Sequence, residues 1–212
     1  MIDHLNTYCV TTDSPCLQEI VPPSKEVFRI GVMGAASGHI SKEAKTKAYH
    51  LGELIAEAGH KLITGATNGL PLYAAQGAHS KGGEIYGMSP AKNATDHQKN
   101  WHLPLEPHTF ITYTGLGFDF RDHLNIFNSE IVIFAGGGIG TLNEFTLAYH
   151  EGKIMGVLLE TGGIERRFES ILDALAYRTS AKLFFADTPE ELLRLTLAER
   201  KLGLDESIYH YE

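Results

Sequence analysis

The sequence predicts a doubly wound α/β sandwich: one Rossmann-like domain around a mostly parallel sheet of about seven strands. Short, continuously apolar runs recur along the chain with amphipathic stretches between them. That alternation belongs to a parallel sheet covered by helices on both faces. Several of the apolar runs end in glycine turns, as strands do where a helix follows. The length of 212 residues suits a single compact domain.

Residues 1–26 are rich in Thr, Ser and Pro and end in Val21-Pro22-Pro23-Ser24, which reads as an extended N-terminal arm. The domain is expected over 27–200, with a C-terminal tail over 201–212. Residues 27–34 form the first strand and turn at Gly34. Ser41 then caps a helix running to about residue 58, with Ala48, Leu51, Leu54, Ile55 and Ala58 at helical spacing and Gly59 as its stop. A strand over 60–65, a helix over 70–78 closed by Gly82-Gly83, and a strand over 84–88 follow. Residues 90–107 break this rhythm with polar groups and no clear period, so a long loop of the kind that carries function is expected there.

The alternation resumes with a strand over 109–113 and a helix from about Asp119 to Ser129. Residues 131–135 are the most apolar strand and run into Gly136-Gly137-Gly138. A helix over 141–150, a strand over 154–159, a helix over 166–176 and a strand over 182–185 come next. The last helix opens at Thr188-Pro189-Glu190-Glu191, a capping box with proline in the first helical position.

The balance of 18 Lys+Arg against 26 Asp+Glu gives a net charge of −8. A protein that coats nucleic acid carries the opposite sign, so no nucleic acid polymer is expected as a partner. Cys9 and Cys16 are the only cysteines. Two thiols are too few for a disulfide framework and suit a reducing compartment. No stretch approaches the roughly 20 apolar residues that span a bilayer, and Asp3 interrupts what would be a leader. A cytoplasmic protein without membrane partners is expected.

In doubly wound sheets ligands bind beyond the carboxyl ends of the strands. That rule selects the loops 34–41, 65–70, 115–121 and 136–144. The last is the richest in glycine, and backbone amides at a helix start suit a phosphate, with the Thr141 hydroxyl as a further donor. It is neither a GxGxxG fingerprint, since Thr141 stands at the third glycine, nor a P-loop, since no Gly-Lys-Ser/Thr follows. A ligand-free packing turn remains open. So does a capping box in which Glu144 bonds back to the Thr141 backbone. Arg121 falls in the first turn of its helix, against the dipole, and is expected to face the same sheet edge as Glu144. A simple pairing with Asp119 or Asp122 is the alternative. His97, His102 and His108 share the long loop without metal-ligand spacing, so no metal site is expected. No Gly-x-Ser-x-Gly elbow marks a serine hydrolase.

Gly137-Gly138-Ile139-Gly140-Thr141-Leu142-Asn143-Glu144 resembles the PGGxGTxxE signature of the Lonely Guy phosphoribohydrolases. Their superfamily also contains molybdenum-cofactor carrier proteins and proteins once labelled lysine decarboxylases. Gly34-Ala35-Ala36-Ser37-Gly38 is similar to the family's first loop, and Gly65-Ala66-Thr67-Asn68-Gly69-Leu70-Pro71 to its GGGxxGLM segment. The likeness covers roughly residues 28–160. Three departures bear on the substrate: Gly136 replaces a proline, Ala66-Thr67 replace two glycines, and the family's Arg-Lys pair reads Arg121-Asp122.

The resemblance implies hydrolysis of the N-glycosidic bond of AMP or an N6-substituted AMP, giving free base and ribose 5-phosphate. Glu144 would stabilise the oxocarbenium-like charge and Arg121 would hold the substrate or polarise the base. Gly34, Ser37, Gly65, Gly137, Gly138, Gly140 and Thr141 would bind the nucleotide, with phosphate at the helix start. No cofactor is required, and a homodimer is implied. The alternative from the same resemblance is a carrier or sensor that holds a nucleotide or pterin nucleotide without turnover. Pyridoxal chemistry is disfavoured, because the lysines lie mostly on predicted helix surfaces.

Overall fold

The computed structural model describes residues 26–175 and 178–207. The expected N-terminal arm, with both cysteines, lies outside the described residues except for Glu26. Seven parallel strands form one sheet in the order β4-β3-β2-β1-β5-β6-β7. They are β1 (Arg29–Gly34), β2 (Lys61–Thr64), β3 (Ile85–Ser89), β4 (Phe110–Tyr113), β5 (Ile131–Ala135), β6 (Ile154–Leu158) and β7 (Lys182–Ala186). The seven helices are α1 (Lys42–Glu57), α2 (Leu70–Ser80), α3 (Ala94–Lys99), α4 (Gly117–Asn128), α5 (Ile139–His150), α6 (Phe168–Leu175) and α7 (Pro189–Ser207), with a 3-10 turn at Glu165–Arg167 before α6.

Alternation along β5 shows why its sequence is apolar throughout. Ile131 and Ile133 join one core with Leu51 and Ile55 of α1, Ala74 and Ala78 of α2, and Leu192 of α7. Val132 and Phe134 point the other way, into a core with Ile126 of α4, Phe145 of α5 and Phe168 of α6. A central strand with helices on both faces has no polar side, so its period-2 pattern vanishes from the sequence. On the second face Phe145 and Phe168 stack with ring centroids 3.8 Å apart, and Phe134 meets both rings edge-on. On the first face α1 and α2 touch backbone to backbone. A Cβ on Gly52 would stand 1.9 Å from the Ala74 carbonyl oxygen, and one on Gly77 would stand 1.9 Å from that of Tyr49.

Some expectations change. The segment 90–107 is not wholly a loop, because Asn93 accepts a hydrogen bond from the Asp96 amide at 2.9 Å and starts α3. Helix α4 begins at Gly117 rather than Asp119, which moves Arg121 from the first turn to the second. Residues 201–207 continue α7, where a tail is expected from 201.

Candidate functional site

The chain runs outward from β1 to β4 and then returns to lay β5 beside β1. The connections that leave β1 and β5 therefore diverge to opposite faces, and a crevice opens at their carboxyl ends. A cavity of about 710 Å³ occupies this place, a size within the roughly 300–1,000 Å³ of small-molecule sites. Gly34, Ser37, Gly65, Arg121, Gly137, Gly138, Gly140, Thr141 and Glu144 all line it.

Helix α5 aims its start into this cavity. Gly138 is its N-cap and offers no side chain, no acidic residue stands in the first turn, and nothing lies within 4 Å of where a Cβ would project from Gly138 or Gly140. The first-turn amides thus have no partner from within the helix and carry its partial positive charge. Thr141 is the third residue of α5, not its cap. Its side chain packs over Gly137, where a Cβ would come within 2.1 Å of Thr141 Oγ1. Because the helix starts before Thr141, the capping-box alternative for Glu144 fails, and the carboxyl turns elsewhere.

It turns to α4. On its way from the edge strand β4 back to β5, this helix touches β3, β2, β1 and α5. That path lays the Arg121 guanidinium against Gly65, where a Cβ would stand 2.0 Å from Nη1. Arg121 and Glu144 are 5% and 6% exposed. Arg121 Nη1 lies 3.7 Å from Glu144 Oε1 and 3.5 Å from Asp122 Oδ1. Asn125 Nδ2 donates to Glu144 Oε1 at 3.2 Å, and Asn143 Nδ2 donates to Asp122 Oδ2 at 3.0 Å. Arg121 Nε is buried without a partner. The pairing with Asp122 foreseen on the surface is therefore a buried one, and it includes Glu144.

Burial, and next the neighbouring Asp122, push the Glu144 carboxyl up to about 8, with Arg121 pulling the other way. Burial also raises Asp122, against Arg121 and the bonds from Asn143 and Glu144. Both shifts favour a proton on Glu144, with Asp122 as its acceptor. The family model of the SLOG cluster4 proteins matches residues 27–193, a span that takes in this whole constellation. The chain belongs to the SLOG cluster4 family.

This SLOG cluster4 protein is 34% identical over 160 residues to an uncharacterized protein of Archaeoglobus fulgidus, an alignment covering 74% of this chain and 99% of the relative. Its fold is similar to the molybdenum cofactor binding protein of Rippkaea orientalis, with TM-score 0.68, 30% identity, and coverage of 82% and 98% of the two chains. It is also similar to the molybdenum cofactor carrier protein of Chlamydomonas reinhardtii, with TM-score 0.64, 26% identity, and coverage of 82% and 99%.

One contributor to the site was not singled out from sequence. The loop after β6 braces the glycine turn: the Gly136 amide donates to Thr161 Oγ1 at 2.7 Å, and the Ile164 amide to the Gly137 carbonyl at 3.1 Å. Thr161 is itself held by the buried Glu165, which accepts from its amide at 3.0 Å and touches its hydroxyl. The signal was present, because Gly162-Gly163 follows a strand just as the other selected glycines do.

The 90–107 segment, where a loop that carries function is expected, brings Leu103 to the cavity. Its histidines fasten it to the strand ends. His97 Nε2 faces the Pro104 carbonyl at 3.0 Å, so it carries the proton, and Nδ1 accepts from Ser89 Oγ at 2.8 Å. His108 repeats the device, with Nδ1 on the Leu105 carbonyl at 3.1 Å and Nε2 on Thr64 Oγ1 at 2.9 Å. His102 is exposed. Among the described residues no group of three or more His, Cys, Asp or Glu is arranged to hold a metal ion, and no helix is long and apolar enough to cross a membrane.

The departures from the Lonely Guy pattern also find their places. Ala66 takes φ +51°, the left-handed conformation for which the family uses glycine. Asp122, where the family has lysine, faces Glu144 across the cavity floor rather than solvent.

Proposed function

We propose that this protein binds a phosphorylated heterocyclic small molecule, a nucleoside monophosphate or a pterin phosphate, and carries it without turnover. The observation that carries this reading is Asp122. Cleavage of an N-glycosidic bond calls for a carboxylate near the developing charge on the sugar. Here a second buried acid stands beside Glu144 and favours its protonated form at neutral pH. The open start of α5 remains suited to a phosphate. The two solved relatives named for the molybdenum cofactor, at 30% and 26% identity, support a carrier with such a ligand as cargo.

Phosphoribohydrolase activity on AMP or an N6-substituted AMP is the second reading, favoured by the 3.7 Å approach of Arg121 to Glu144. Incubation with AMP and its N6-isopentenyl analogue, followed by chromatography, separates the two. The expected result is saturable calorimetric binding with no free base at neutral pH. Release of base that disappears in Glu144→Gln and Arg121→Ala would establish the hydrolase instead.

A further inference from the structure

Arg121 is a buried cation of the cavity that its neighbours leave incompletely satisfied. Its Nε is buried with no partner, and Nη1 meets the two carboxyl groups only at ion-pair distances of 3.5 and 3.7 Å. A guanidinium offers five donors and no acceptor. Beside it, Asp122 and Glu144, joined by the Glu144 proton, keep acceptor oxygens that this bond and those from Asn143 and Asn125 only partly occupy. The floor therefore presents donors from one side chain next to acceptors from two others. Above it, the Phe118 ring lies 5.4 Å from the Arg121 guanidinium and is braced edge-on by Trp101 at 4.9 Å. Phe118 is 45% exposed and lines the same cavity, which leaves ring surface for a planar ligand.

We infer that Arg121, Asp122 and Glu144 read the edge of a 2-amino-4-oxopyrimidine ring, the unit shared by guanine and pterins, while Phe118 flanks its plane. The exocyclic 4-oxo oxygen accepts from Arg121, and the adjoining ring N–H and exocyclic amine donate to the two carboxyl groups. An adenine edge supplies one donor and one acceptor, and so leaves part of the buried cluster without a partner. A site built to hydrogen-bond a group rejects the analogue that lacks it strongly, because its own polar atoms are then stranded. This inference rests on the binding reading above and assigns to Arg121 and Glu144 the recognition of the ring rather than cleavage of its bond to a sugar.

Calorimetry with GMP, 6-hydroxymethylpterin phosphate, IMP, AMP and ribose 5-phosphate tests it on the full chain. GMP or the pterin phosphate is expected to bind at least about tenfold more tightly than AMP, and the tighter of the two names the source of the ring. IMP, which lacks the 2-amine, is expected to fall between. Asp122→Asn should bring GMP and AMP to within about threefold of each other, since an amide puts a donor where the carboxylate only accepts. Glu144→Gln, by contrast, keeps the donor and acceptor of a protonated carboxyl and should preserve the preference. AMP binding as tightly as both favoured ligands overturns the inference and leaves carriage standing. IMP binding as tightly as GMP overturns the contact between carboxyl group and 2-amine, whether or not the variants fold. Failure of all five compounds to bind would bring down the binding reading itself.

Discussion

Helices α1 and α7 begin in one way, α2 and α5 in another, although all four follow strands of one sheet. Ser41 caps α1 by accepting from the Ala44 amide at 3.0 Å, and Glu43 stands in the first turn. Thr188 accepts from the Glu191 amide at 3.4 Å at the start of α7, with Glu190 and Glu191 in the first turn. By contrast α2 and α5 start at Gly69 and Gly138 with no side-chain cap and no acid in the first turn. A helix start leaves amide donors that need partners, and an acid there complements the dipole. The first pair completes itself. Helix α2 is nonetheless largely complete, because the Leu70 amide donates to the Ala35 carbonyl at 2.8 Å and Pro71 has no N–H. Only α5 is left open on the cavity, which is how a helix start is built when an anion supplies what is missing.

Completing α5 artificially should break this contrast most sharply. Gly138→Asp places a carboxylate at the N-cap, where it satisfies the first-turn amides and repels phosphate. The expected outcome is a loss of about 100-fold in GMP or AMP affinity by calorimetry, with the thermal midpoint unchanged or higher. Wild-type affinity in this variant would place the phosphate away from α5.

Acid–base behaviour separates the same two regions by sign. Glu144 is raised from its ordinary 4.5 to about 8, so between those values the native protein holds a proton that the unfolded chain has lost. Stability from this group is therefore lost as pH rises through that window, and Asp122 acts in the same direction. At the start of α7 the signs reverse. Glu190 is lowered by its own backbone and by His50, and Glu191 by its hydrogen bond to Arg194, so their contribution is lost as pH falls through the carboxylate range. Urea denaturation at both ends of the Glu144 window should show stability declining with pH in the wild type and a flatter profile in Glu144→Gln. An unchanged slope in the variant would mean that Glu144 is ionised at neutral pH, which restores the hydrolytic reading.

The fold was legible because central strands buried on both faces leave unmistakable apolar blocks, as in Ile131–Ala135. Ser41 was legible because a cap is a local interaction. The loops at the strand ends were legible as a group because they share one sheet edge, and the nine residues that the resemblance picks from them all line the cavity. Long-range geometry was not. No local pattern says that Asp122 faces Glu144, or that Thr161 and Glu165 hold Gly136 from the next loop. The missed helix α3 is only six residues long, too short for a periodic signal. The capping-box alternative for Glu144 stays open in the sequence, since Thr-x-x-Glu matches that motif wherever it falls, and only the true start at Ile139 excludes it.

The smaller effects concern the completed starts. Ser41→Ala should cost about 1 kcal/mol of stability with ligand affinity nearly unchanged, a result readable from one denaturation curve and one titration. Thr188→Ala should cost less, roughly 0.5 kcal/mol, for two reasons that can be tested apart. The bond it removes is long at 3.4 Å and exposed, so water replaces it readily. Pro189 also holds its φ near the helical value without help from a cap. Replacing Pro189 with Ala should therefore make the α7 start more dependent on Thr188, and the cost of Thr188→Ala should rise in that background. An equal cost in both backgrounds would show that the proline contributes nothing to the start, and would leave the acids of the first turn as its main support.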